Sequence, residues 1–401
     1  MITKERSNLN NGSNKVIIVS YFFYPENKPR AFRTFELAKG LAKSGYKVEV
    51  VIPTYSLDGV LMTFDDLSSK YPSLSIRTVG NVRKNIEQNK KALPKSKSTK
   101  LPSGIMMWFK RLAYFVFPSG KDFIYGWKLI HFFRKNRSSA DTVISISYPY
   151  SVHIGTIVAR KFGFLKVNKV LTEFGDTLVG CPALPNSFIH KWIQQFISKN
   201  TNIIVTPTEN SIPNFTLYKS KESVKVIPQG YDFSDTRTKN YTKNPVPTFG
   251  YAGSFHATAR NPKIFLQYLS TLDFEFKFIV YSNIKDPDLV SIFDEYQAKL
   301  THKLEIRGLI PRLDVIETMS TFDFLIFEEN LSENQNPSKI VDYKLSGRPI
   351  FSFSQDHLNQ TKFLEFINDD YSNADFDKFS ISDYSIDNVV DKFIDLLISE
   401  N

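Results

Sequence analysis

The chain has 401 residues, 42% of them hydrophobic and 14% aromatic, which is enough for two domains with separate cores and excludes a disordered polypeptide. One cysteine, Cys181, excludes an internal disulfide framework, fits a reducing compartment and reads as a small packed residue. A formal charge of +10 implies attraction to something anionic, and nucleic acid, an anionic membrane surface and a phosphate-bearing substrate all remain candidates.

The opening MITKERSNLNNGSNK is polar and no run approaches about eighteen apolar residues, so neither a signal peptide nor a spanning helix is expected. Lys15 to Ser20 (KVIIVS) reads as a buried strand. Ala31 to Ser44 reads as a helix with an apolar stripe through Phe32, Phe35, Leu37 and Leu41, stopped by Gly45, and Lys47 to Ile52 as the next strand. This is a β-α-β unit opening a doubly wound sheet. Its first loop, YFFYPENKP, lacks G-x-G-x-x-G, which weakens a dinucleotide-cofactor reading.

From Val82 to Arg111 the chain turns basic, with nine Lys and Arg residues against Glu87 alone, and its prolines and serines suggest a loop or insertion. Trp108, Phe109, Phe115 and Trp127 follow closely. Lysines beside exposed aromatics would suit a membrane-surface anchor; alternatively the aromatics are helix core and the lysines merely solvated.

Thr142 to Ser147 is another buried strand, followed by a helix in which His153 reads as packed or capping. Lys169 to Thr172 leads into EFGDTLVGCP, where Asp176 can orient or partly deprotonate a hydroxyl, or simply make a loop turn. Asn202 to Pro207 is a strand and Thr208 starts a short helix. Asp235 to Pro247 is polar, ends in prolines and reads as a linker. Thr248 to Ala252 restarts the rhythm, with Gly253 in a tight turn and His256, Arg260 and Lys263 beyond it. Phe276 to Tyr281, Leu304 to Arg307 and Phe324 to Phe327 continue it as strands, between helices near Pro287 to Lys299 and Arg312 to Ser320.

The stretch Phe324 to Ser354 is a strand, an acidic and amide-rich loop, a helix opened by Pro337 and stopped by Gly347, and a second strand. Free N–H groups at such a helix start attract anions, phosphate above all. Lys339 adds a positive charge there, whereas Asp342 suits neutral hydroxyls such as those of a ribose. A capped helix with both side chains solvated is the plainer alternative.

PSKIVDYKLSGRPI resembles the donor-site segment of family 4 glycosyltransferases; YFFYPENKPRAFR and VKVIPQGYD are similar to that family's first loop and to the end of its N-terminal domain. The resemblance implies an α/β fold of the GT-B type, two Rossmann-like doubly wound parallel-sheet domains facing a central cleft. It implies an acceptor-binding domain over 1–235 with the basic and aromatic segment 82–133, a linker over 236–247, a nucleotide-sugar domain over 248–384, and a final helix over 385–401 crossing back. Donor contacts are then expected from Gly253, Ser254, Asn334, Pro337, Ser338, Lys339 and Asp342. Asn334 stands where the family has the first of two paired glutamates, and Ser254 where it often has arginine. The loop Gly308 to Arg312 (GLIPR) would lie near the base, and His256 could reach the phosphates. Glu26, Asn27, Arg30 and Asp176 would face the acceptor, with Asp176, Lys339 and Arg260 serving catalysis.

The activity so implied is transfer of a sugar from a nucleotide-sugar donor to a glycan or lipid-linked acceptor, in cell-surface polysaccharide biosynthesis. It would retain configuration, use no cofactor and need no metal, and no zinc-type ligand cluster is apparent. The setting would be cytoplasmic or peripheral at the inner face of the membrane. A GT-B nucleotide-sugar epimerase and a catalytically degenerate GT-B sugar-binding protein are the alternatives. Nucleic acid is not expected as a partner, because the basic stretch matches no reading element.

Overall fold

Strands rich in Val, Ile and Phe, bounded by glycine, proline and polar turns, build two sheets that are parallel throughout. The computed structural model describes residues 14–26, 29–55, 63–83, 120–180, 187–258, 260–329, 339–376 and 379–399. It divides into two compact units, one made of Met1–Tyr231 with Ser385–Asn401, the other of Asp232–Tyr384.

In the first unit the strands are β1 (Lys15–Ser20), β2 (Lys47–Tyr55), β3 (Leu74–Arg83), β4 (Ser138–Ile146), β5 (Leu165–Glu173), β6 (Ile203–Thr206) and β7 (Val224–Val226), in the order β3-β2-β1-β4-β5-β6-β7. The pleat sends alternate residues to opposite faces. Val16 and Ile18 enter a core shared with Leu37, Leu41 and Phe393, while Ile17 and Val19 enter another with Leu129, Phe133 and Val152.

The second unit holds β8 (Thr248–Ala252), β9 (Lys277–Tyr281), β10 (Leu304–Arg307), β11 (Phe324–Glu328) and β12 (Ile350–Phe353), in the order β10-β9-β8-β11-β12. Phe249, Phe324 and Ile326 face one core, and Ala252, Leu325 and Phe327 the other. After β8 the chain adds strands on one side and then returns to add β11 and β12 on the other. The carboxyl ends of β8 and β11 are therefore a topological switch point, where open α/β sheets bind ligands. In the first unit β1 and β4 make the corresponding pair.

Several elements differ from expectation. Phe32 is 45% exposed, and the first helix, Pro29–Lys43, instead buries Arg33, Thr34, Leu37 and Leu41. Arg33 takes the inward position because a carboxylate waits for it there. β3 and the helix Phe188–Lys199 were not anticipated. Within residues 236–247, Tyr241 donates to Asp323 Oδ1 at 2.6 Å and the Asn244 amide to the same oxygen at 3.1 Å, tying the segment to the second unit. Trp127 is 70% exposed and so is not core, because helix Ile124–Lys135 buries Tyr125, Leu129 and Phe133 on its opposite side. Trp108, Phe109, Phe115, Cys181 and most of the basic stretch lie outside the described residues. Among the described residues, no helix is long and apolar enough to cross a membrane.

The last helix, Ile386–Ile398, packs on Pro29–Lys43, sending Val389, Val390 and Phe393 into the first unit's core. A Cβ placed on Gly40 would stand 2.3 Å from Val390 Cγ2, so glycine is what allows the two helices to approach.

Candidate active site

At the switch point of the second unit, the chain leaves β8 through Gly253, whose φ of +140° is a conformation that side chains disfavour. A Cβ there would lie 2.1 Å from Lys339 Cε. The missing side chain makes room for a lysine. Lys339 opens the helix Lys339–Leu345 that follows β11, and its Nζ donates to Tyr251 Oη at 2.6 Å and to the Ser254 carbonyl at 3.4 Å. Tyr251 donates in turn to the Ser254 carbonyl at 2.9 Å. Ser254 thus takes part through its main chain.

Arg260 flanks this group. Paired backbone hydrogen bonds of 2.9 and 3.0 Å between His256 and Arg260 close the turn that presents it, and its Nε is buried with no hydrogen-bond partner among the described residues. Burial lowers the His256 pKa, and the charges of Arg260 and Lys339 lower it further, so the imidazole is neutral beside them.

Glu328 is the group that sequence reasoning missed. It ends β11 on the same side of the sheet as Phe324 and Ile326, is 2% exposed, and neither carboxylate oxygen accepts a hydrogen bond from a described residue. Burial pushes its pKa up to about 8, although Lys339 and Arg260 pull the other way. Lys339 is driven well below the usual lysine range by burial, then by Arg260, with Glu328 opposing. Both groups therefore lean towards their neutral forms. A protonated Glu328 at neutral pH places no negative charge where an anion would bind, and an arriving anion restores the full charge on Lys339.

Asp342 does not stand against open space. Arg312 Nε donates to its Oδ1 at 2.8 Å, and Arg312 Nη2 lies 2.5 Å from the same oxygen. Burial raises the Asp342 pKa, and the Arg312 guanidinium partly offsets it. Tyr343, the next residue, accepts from the Ala252 N–H at 2.9 Å and so fixes the helix to the end of β8. Asn334, Pro337 and Ser338 lie outside the described residues. In the GLIPR loop Leu309 is 62% exposed, and Arg307 before it donates to Tyr281 Oη at 2.7 Å.

In the first unit a second polar group forms beyond β5. Arg33, 1% exposed, donates through Nε to Glu173 Oε1 at 2.8 Å and through Nη1 to the Pro228 carbonyl at 3.0 Å. The VKVIPQGYD segment thereby supplies a main-chain acceptor to a buried charge. Arg30 lies outside this pair, with Nη1 4.0 Å from Glu173 Oε1 and Nη2 3.9 Å from Asp176 Oδ2. Asp176, its side chain 43% exposed, is the outermost carboxylate. Glu26 is 9% exposed in the loop after β1, and Asn27 lies outside the described residues. His153 is fully buried, with Nδ1 2.7 Å from Ser145 Oγ, and burial pushes its pKa down to about 3, so it is a neutral packed residue.

The described residues thus bring Gly253, Ser254, Arg260 and Lys339 together, with Asp342 on the same helix but paired to Arg312, and bring Arg30 to Asp176. Cationic groups at a switch point, backed by a protonatable carboxyl, can hold a phosphate and stabilise charge that develops on it.

No family model matches the sequence, and no curated protein matches it. Solved structures share its fold along nearly the whole chain. A glycosyltransferase from Rickettsia africae aligns with a TM-score of 0.59 at 14% identity, covering 97% of this chain and 98% of that one. TarM aligns with a TM-score of 0.60 at 11% identity, covering 97% and 99%. Anabaena HepE in complex with UDP-glucose aligns with a TM-score of 0.55 at 11% identity, covering 96% and 99%. The chain has the GT-B fold, two parallel-sheet α/β units as in these structures.

Proposed function

We propose that the chain is a glycosyltransferase that moves a sugar from a nucleotide-activated donor to a glycan or lipid-linked acceptor, after the manner of glycosyltransferase family 4. The observation that carries this reading is the Lys339 amine, held across Gly253 beside Arg260 at the carboxyl ends of β8 and β11. Lys339 and Arg260 would bind the donor diphosphate and stabilise the charge it gains as the bond to the sugar breaks. That role needs no metal ion. In the first unit, Asp176 would orient the acceptor hydroxyl, with Arg30 steadying its carboxylate. Retention of configuration and a place in cell-surface polysaccharide assembly belong to the same reading. So does action in the cytoplasm or at the inner face of the membrane.

The test is a thermal-shift panel of UDP-, GDP-, ADP- and CMP-sugars without added metal, run on the wild type and on Lys339→Ala. UDP-glucose leads the panel because the HepE structure contains it. Stabilisation by one nucleotide class, weakened about tenfold in apparent affinity by Lys339→Ala, is the expected result. Stabilisation that survives Lys339→Ala intact, or none by any donor, rejects the site. Release of the nucleoside diphosphate only when acceptor is added distinguishes transfer from epimerisation.

A further inference from the structure

The first unit carries a groove that the proposed reaction does not use. It lies between the outer edge of β3, the terminal strand of the sheet, and the helix Ile124–Lys135, and encloses about 770 Å³. That is the size of a ligand pocket.

Its wall is cationic. Lys128, His131 and Lys135 recur at the spacing of one helix face, setting a row of cationic or protonatable groups about 10 Å long along the axis, and no Asp or Glu is among the described residues that line the groove. Gly80, at φ +85°, lets Lys128 lie against the strand: a Cβ there would meet Lys128 Cδ at 3.1 Å and Nζ at 3.3 Å. Arg77 sets the floor, with its guanidinium 4.7 Å from the Phe132 ring centroid and Nη1 bonded to Glu49 Oε1 at 2.9 Å and Ser138 Oγ at 3.1 Å. Glu49 also pairs with Lys15 at 2.9 Å, so one carboxylate answers two cations, and among the described lining residues none offsets Lys128 and Lys135. Trp127 lines the same groove with 70% of its surface exposed.

We propose that this groove binds an anionic glycan, a chain of sugars carrying phosphate, sulfate or carboxylate groups. A row of cations suits a ligand with repeated charges, whereas a single small ion needs donors converging on one point. The indole face suits the apolar C–H face of a sugar ring, and the main-chain groups along the outer edge of β3 suit hydroxyls. A flat bilayer surface would meet the exposed Trp127, Lys128 and Lys135 but leave Arg77 and the edge of β3 unused. The site lies wholly in the first unit and does not depend on the donor site proposed above.

The test measures binding of a sulfated heparin pentasaccharide, uncharged maltopentaose, and phosphatidylcholine vesicles containing phosphatidylglycerol to the full-length protein. It uses wild type, Lys128→Glu with Lys135→Glu, and Trp127→Ala, all at exposed positions, with thermal melts verifying the fold. The pentasaccharide should bind, weaken with added salt, and lose about tenfold or more in affinity in the charge-reversed variant and severalfold in Trp127→Ala, with UDP-glucose stabilisation unchanged. Equal binding of maltopentaose, or pentasaccharide affinity unchanged in both variants, overturns the proposal. Vesicle binding lost in the charge-reversed variant while the pentasaccharide fails to bind also overturns it, and assigns the face to a membrane surface.

Discussion

The guanidinium of Arg30 lies directly across Gly175, so close that a Cβ on Gly175 would stand 1.0 Å from Nη2. Glycine here is what holds Arg30 between Glu173 and Asp176.

Gly175→Ala should therefore push Arg30 off both carboxylates. Because Arg30 is partly exposed and flexible, the expected loss of stability is small, about 1 kcal/mol or less. Turnover should fall about tenfold or more while donor affinity holds. Steady-state kinetics with denaturant melts decide it; equal losses of stability and activity would make the contact purely structural.

Gly253→Ala combines an unfavourable φ with a clash against Lys339. Its expected cost is about 1–3 kcal/mol in folding, together with weakened diphosphate binding as Lys339 is displaced from Tyr251. Calorimetric titration with UDP checks this, and undiminished affinity would remove Lys339 from the phosphate site.

Glu328 makes stability depend on pH in a defined direction. Its pKa rises from 4.5 to about 8 on folding, so between these values the unfolded chain has lost a proton that the native state keeps. Stability from this group is full below 4.5 and drains away as pH rises through about 8. Lys339, depressed on folding, acts in the opposite sense above its own lowered pKa. Denaturant midpoints of the wild type minus those of Glu328→Gln should thus shrink from about pH 5 to pH 8. A constant difference would show that Glu328 is ionised throughout.

Arg312 and Asp342 should be energetically coupled. A double-mutant cycle with Arg312→Ala and Asp342→Ala should give an interaction of about 1 kcal/mol, modest because both side chains keep some solvent contact. Additive effects on stability would leave the pair without a positioning role.

How much of this was legible follows from the range of the interactions. Val16 to Val19 and Phe324 to Phe327 announce their strands through local composition, and the order of elements implied parallel sheets. β3 was hidden because Ser75, Arg77 and Thr78 interrupt its apolar positions and its end merges with the basic stretch. Arg33 looked like an ordinary helix residue, since its carboxylate partner lies 140 positions away. Asp342 was read as facing ligand hydroxyls because nothing near it in sequence points to Arg312, 30 positions earlier. Glu328 had one usable signal: it continues the alternation of Phe324 and Ile326, which assigns it to the core-facing side and so to burial.

The helix Ile386–Ile398 belongs to the core of the unit that begins the chain. During synthesis, then, the first sheet is complete more than a hundred residues before the helix that covers Leu37 and Leu41, and must wait for it. Until Ile386–Ile398 leaves the ribosome, that unit carries an open apolar seam, and a nascent chain stalled before Ser385 is a natural client for chaperones.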